Sequence, residues 1–196
     1  GTIYTPLETI HDGVIVVDDA PIRAVGTRAS TPIPRGAEIV DARGKAIVPG
    51  LIDLHTYGCL GVSMTAPERI ADELQAFARN VARFGVTRFL ISPTMGDRAF
   101  IARMLSAIAE TIPHVRDGAI PLGIHLEGPW LDPEQRGAFP LDVLHAPTID
   151  EAREYVNAAR GYIQVVTLAA NLPNAPDVAK FLRDNGQSRV PDPPQR

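Results

Sequence analysis

The sequence predicts an α/β chain: a partial (β/α) barrel of about four βα units, preceded by a short β-rich portion. Three observations carry that prediction. Residues 1–45 break into short apolar runs separated by turn residues. From Lys45 onward, apolar runs alternate with segments whose apolar residues recur at helical spacing, the pattern of a parallel sheet with its crossover helices. Two of those runs end in side chains able to bind a metal, 46–55 in His55 and 119–127 in Glu127, as at the mouth of an α/β barrel.

Each element has its own warrant. Residues 13–18, 22–25 and 38–41 are apolar enough for strands, with Asp18-Asp19 and Pro32-Ile33-Pro34 between them. Residues 46–55 read as one apolar strand. Ala66-Pro67 opens a helix through about Phe84, with Ile70, Leu74, Phe77, Val81 and Phe84 on one face. Residues 86–92 form the second strand of the parallel set. Asp97 caps a helix whose Ile101, Met104, Leu105 and Ile108 recur at helical spacing. Residues 119–127 are a buried strand broken by Gly128 and Pro129. Thr148 and Asp150 start a third helix, residues 161–168 form a fourth strand, and residues 177–184 a helix stopped by Asn185-Gly186. Three domain portions follow: 1–45, 46–186 and a Pro-rich tail, 187–196. Pro191, Pro193 and Pro194 forbid a buried strand in that tail, so it is expected to be disordered.

With 196 residues and 45% hydrophobic content, the chain is long enough to bury a core. A net charge of -4 without a basic cluster argues against nucleic acid and anionic membrane as partners. Apolar runs fall well short of the roughly twenty residues that span a bilayer. No basic segment leads into an apolar one at the N-terminus, so no signal peptide is visible. Cys59 is the single cysteine and cannot close an internal disulfide. A cytoplasmic protein is expected.

Glu127, held at the end of a buried strand, is a candidate metal ligand or proton carrier; the alternative is a turn cap or a partner for an Arg. His55 tips the balance toward a site, because imidazole is the commonest ligand for transition metals and two such strand ends fit one barrel mouth. His125 lies two residues before Glu127, hence on the same side of the strand. It either orients Glu127 from behind or is a plain buried histidine. His11, His114 and His145 fall in turns or at helix ends and read as surface residues. Cys59 reads as a buried inert thiol rather than a nucleophile.

Val48-Pro49-Gly50-Leu51-Ile52-Asp53-Leu54-His55 resembles the first barrel strand of the amidohydrolase superfamily. His125-Leu126-Glu127-Gly128-Pro129-Trp130-Leu131, followed by Arg136-Gly137-Ala138, resembles the signature of the N-acetylglucosamine-6-phosphate deacetylase family. Phe84 to Leu90 and Pro93-Thr94 resemble that family's second strand. The likeness runs from about Gly1 to Gly186 and matches the N-terminal half only. It implies a TIM-type metal-dependent hydrolase barrel in 46–186 and a small β-sandwich portion in 1–45. The implied activity is removal of the N-acetyl group from an amino-sugar phosphate, with one divalent ion (zinc, iron or manganese) rather than two. Such an ion acidifies water and polarises the amide carbonyl. Glu127 matches the family's principal metal-binding carboxylate, His55 the first His of a His-x-His pair, and Ala138 a residue lining the sugar site. The catalytic Asp implied by the family lies beyond this sequence.

There are departures from the pattern. Tyr57 stands at the second His of His-x-His, Phe139 replaces a His after Ala138, and Ala170-Asn171 replaces a Pro-Glu. The family's further metal-binding His residues and catalytic Asp fall on strands that this sequence lacks, so the chain is expected to be truncated and inactive alone, with exposed barrel edges that favour a homo-oligomer. Two other readings compete. A cyclic amide hydrolase of the same superfamily is disfavoured by Tyr57 and by the lack of Lys near Leu168. A degraded half-barrel serving as a binding module is suited by the altered positions.

Overall fold

The computed structural model describes residues 1–19, 21–93 and 96–185. The chain divides between Gly50 and Leu51 into two compact units. That division falls five residues later than the composition shift at 45/46 suggests. The expected tail at 187–196 and the helix stop at Gly186 lie outside the described residues.

The first unit holds strands β1 (Thr2–Tyr4), β2 (Thr9–Ile10), β3 (Gly13–Val17), β4 (Ile22–Thr27) and β5 (Ala46–Ile47). β2, β1 and β5 form a three-stranded sheet in that order, and β3 and β4 pair as an antiparallel hairpin. Ile3 and Ile10 face each other across β1 and β2 and are both buried. Gly13 starts β3 because a Cβ there would come within 2.4 Å of the Ile3 side chain. The strand expected at 38–41 does not form: Ile39 and Val40 are exposed, and neither pairs with another strand among the described residues.

The second unit is a four-stranded parallel sheet in sequential order, β6 (Leu51–Thr56), β7 (Val86–Ile91), β8 (Ile120–Glu127) and β9 (Ile163–Thr167). Helices α1 (Ile70–Ala82), α2 (Arg98–Thr111), α3 (Ile149–Ala158) and α4 (Ala175–Asn185) follow the strands in turn, each packing beside the next. Such sequential βα order is what right-handed crossovers produce. The run 46–55 is thus two strands, β5 and β6, rather than one. Pro49 lacks an N–H and fixes its own φ, so the ladder stops at Val48-Pro49-Gly50.

The core lies between sheet and helices. Ile70, Leu74, Phe77 and Val81 of α1 pack with Phe89 and Ile91 of β7, Ile101, Met104, Leu105 and Ile108 of α2, and Ile124 and Leu126 of β8. Phe84 does not join them. α1 ends at Ala82, Gly85 turns the chain at φ +81°, and Phe84 is 64% exposed beyond the last helical turn. Asp97 caps α2 as expected, its Oδ1 accepting from the Phe100 N–H at 2.7 Å. Asp97→Ala is expected to cost about 1 kcal/mol of stability, read as a shift in the denaturant midpoint at unchanged slope. Among the described residues no helix is long and apolar enough to cross a membrane.

Candidate active site at the carboxyl edge of the sheet

Alternation along β8 sets the site. Ile124 and Leu126 point into the helix-side core, so His125 and Glu127, one residue out of step, face the opposite side of the sheet. Each of the other strands brings a polar side chain to the same edge. β6 contributes His55, with Tyr57 two residues further on. Ser92 directly follows β7, and Thr167 ends β9. Each of the three strand pairings carries a register shift, the kind of irregularity that bends a sheet.

Glu127 is the centre of the group. The Tyr57 hydroxyl donates a short hydrogen bond to its Oε2, and His55 Nε2 lies 3.2 Å from the same oxygen. Burial, then the adjacent Glu127 carboxylate, push the Tyr57 phenol well above its ordinary range, which keeps it a donor. The His55 ring sits edge-on to Tyr57, centroids 5.1 Å apart. Its Nδ1 meets the buried Ser92 hydroxyl at 2.8 Å, and its backbone N–H donates to Asp53 Oδ1.

His125 reaches Glu127 only by way of His55, whose ring centroid lies 4.7 Å from its own. Its Nδ1 faces the Leu54 carbonyl at 2.9 Å, and a carbonyl only accepts, so Nδ1 carries the proton. Nε2 then accepts from the Thr167 hydroxyl at 2.8 Å. With both ring nitrogens engaged, His125 steadies His55 and ties β8 to β6 and β9.

The expected residues thus divide in two. His55, His125 and Glu127 come together. Ala138 sits apart, in an exposed turn closed by the Phe139 N–H to the Arg136 carbonyl, and joins none of the hydrogen bonds around Glu127. Cys59 is half-buried, and burial followed by Asp53 raises its thiol pKa, so it holds its proton and is no nucleophile. Ser92 and Thr167 escaped the sequence reading. Their one signal was position, each standing where a parallel strand ends. Tyr57, at the position of the second His of the His-x-His pattern, is a hydrogen-bond partner of Glu127.

Among the described residues no three His, Cys, Asp or Glu side chains converge as a metal-binding group. Glu127 and His55 are chemically suited to a zinc-type ion, but two donors make only part of the set of three or more that such an ion takes.

A parallel α/β sheet that collects its polar side chains at the carboxyl edge has the layout of the α/β-barrel enzymes. No family model matches the sequence. Individual relatives do. The chain is 29% identical to the N-acetylglucosamine-6-phosphate deacetylase of Vibrio furnissii, over 90% of its own length and 43% of the relative's. It is 28% identical to the N-acetylgalactosamine-6-phosphate deacetylase of Escherichia coli, over 85% of its length and 44% of that protein. The N-acetyl-D-glucosamine-6-phosphate deacetylase of Mycobacterium smegmatis, solved in complex with N-acetyl-D-glucosamine-6-phosphate, superposes with a TM-score of 0.77 at 25% identity, covering 94% of this chain and 46% of that one. By sequence and structure alike, the chain is similar to about half of an N-acetylglucosamine-6-phosphate deacetylase. It spans a little under half the length of these relatives.

Proposed function

We propose that this chain supplies the Glu127 half of an amide-hydrolysing site that removes the acetyl group from an N-acetylated amino-sugar 6-phosphate. The observation that carries the reading is the convergence of Glu127, His55 and Tyr57 at the carboxyl edge of a parallel sheet. The family names of the relatives give the reaction and the substrate class. On this reading the four strands are one half of an eight-stranded (β/α) barrel. Residues 1–45 belong to a small β-sandwich.

Glu127 would be a ligand to one divalent ion (zinc, iron or manganese), with His55 beside it. Such an ion, when bound, polarises the amide carbonyl and acidifies water. This chain's own residues hold the ligands in place. Tyr57 fixes the Glu127 carboxylate, Ser92 and His125 fix the His55 ring, and Thr167 fixes His125. Ala138 would line the sugar site through its backbone. The carboxylate that transfers protons belongs to a strand outside this sequence. Exposed Leu51, Ile52 and Leu54 on β6 and Val165 on β9 support a covering partner, either a second copy or the remaining strands. The comparisons name deacetylases throughout, and a non-catalytic binding module finds no support in them.

Acetate release tests the reading. The purified chain is assayed with N-acetylglucosamine 6-phosphate and N-acetylgalactosamine 6-phosphate, with zinc, manganese or iron(II) supplied. It is assayed alone and mixed with the separately expressed C-terminal portion of the Vibrio furnissii relative. No release is expected from the chain alone, and release from the mixture is expected to disappear on Glu127→Gln. Release that survives Glu127→Gln would overturn the role of Glu127. So would a silent mixture when the relative's own two portions recombine into an active enzyme.

A further inference from the structure

The most deeply buried carboxylate outside the site is Glu151, 2% exposed in the first turn of α3. Thr148 and Glu151 stand at capping-box spacing, and the Thr148 hydroxyl does accept from the Glu151 N–H at 3.2 Å. The Glu151 side chain, however, turns inward. Its Oε2 accepts from the Trp130 indole N–H at 2.8 Å and its Oε1 from the Tyr155 hydroxyl at 2.7 Å. His145 Nε2 closes the group, 3.0 Å from Oε1 and 2.9 Å from Oε2. The other ring nitrogen of His145, Nδ1, lies 3.0 Å from the Val143 carbonyl. His145 is a surface residue, as the sequence suggests, and its ring also covers the buried Glu151 carboxylate.

A carboxylate in that place is costly unless fully partnered, and an apolar residue would fill the space with less penalty. What Glu151 grips gives it a purpose. Trp130 is fully buried, stacks on Tyr155 at 5.7 Å, and lies three residues beyond Glu127. From the sheet side, that turn is held by the Gly128 N–H on the Thr167 carbonyl and by the Ala169 N–H on the Trp130 carbonyl. From the helix side it is held by the indole on Glu151. We propose that Glu151 is a positioning residue: through the Trp130 indole it fixes the turn after β8, and so the direction in which Glu127 presents its carboxylate. This rests on the reading of Glu127 as a metal ligand.

The test measures zinc affinity, by competition with a chromophoric chelator, alongside the thermal midpoint. The proteins are the chain, Glu127→Gln, Glu151→Gln, Trp130→Phe, the double variant Glu151→Gln with Trp130→Phe, and Thr148→Ala. Glu151→Gln and Trp130→Phe are each expected to weaken zinc binding about tenfold, the lower end of what outer-shell partners contribute. The double variant should lose no more than either single one. Thr148→Ala weakens the same helix start but leaves the indole bond, and should lower the midpoint with affinity intact. Should Glu151→Gln fail to fold, Trp130→Phe, which keeps an aromatic ring in the same space, decides alone. Unchanged affinity in the folded variants, with Glu127→Gln still lowering it, removes the positioning role and leaves the Glu127 reading standing. Unchanged affinity in Glu127→Gln as well removes both. Losses that multiply in the double variant also overturn the proposal, since the two residues would then act independently.

Discussion

Replacing Glu127 with Gln is expected to lower zinc affinity at least tenfold while shifting stability by no more than about 1 kcal/mol. The two halves of that expectation have separate causes. An amide keeps the shape of the carboxylate, and its oxygen still accepts from the Tyr57 hydroxyl. The charge it removes faces a His55 side chain that is 39% exposed, and ion pairs this accessible contribute only about 0–1 kcal/mol. Binding of a divalent ion, in contrast, depends on the anionic oxygen, and a site with two donors has none to spare. Even outer-shell changes at metal sites cost roughly 10–100-fold. Equal affinity in the two proteins would remove Glu127 from the ligand set. A stability loss of several kcal/mol would instead make the carboxylate a structural clasp for Tyr57.

What the sequence disclosed of this site follows from geometry along single strands. Glu127 and His125 were legible because β8 is a long apolar run with an abrupt Gly-Pro end, and alternation places both on one face. His55 was legible for the same reason at the end of β6. The groups that hold them in place were not. Ser92 meets His55 across 37 residues of sequence, Thr167 meets His125 across 42, and Tyr57 meets Glu127 across 70. A single hydroxyl at a strand end has no periodicity to betray it. Only the sheet order, β6-β7-β8-β9, makes these residues neighbours.

Glu151 illustrates a different failure of local reading. Its place in the first turn of α3 is where acidic residues normally serve the helix terminus from the surface. The donors that draw it inward, Trp130 and His145, come from the long connection between β8 and α3 and show no pattern that points to a helix start. The apolar residues Ile39 and Val40 fail in the opposite sense. They have the composition of a strand, yet no partner reaches them among the described residues, and β-propensity without pairing builds no sheet.

The parallel half of the fold was legible because its helices carry clean apolar stripes, and one stripe offers the second large effect. Phe77→Ala is expected to cost about 3–5 kcal/mol, whereas Phe84→Ala should stay within about 0.5 kcal/mol. Sequence periodicity places both rings on the same face of one helix. The structure separates them. Phe77 is fully buried and meets Phe89 of β7 edge to face, centroids 4.8 Å apart at 64°. Removing its ring opens a cavity between helix and sheet where neighbours are already close-packed, and forfeits an aromatic pair besides. Phe84 lies past the end of α1, before the Gly85 turn, and its ring is largely in solvent. In thermal unfolding, Phe77→Ala should lower the midpoint by roughly 6–20 °C and Phe84→Ala by about 2 °C at most. Comparable losses at the two positions would mean that the apolar stripe continues past Ala82 and that Phe84 is covered in solution.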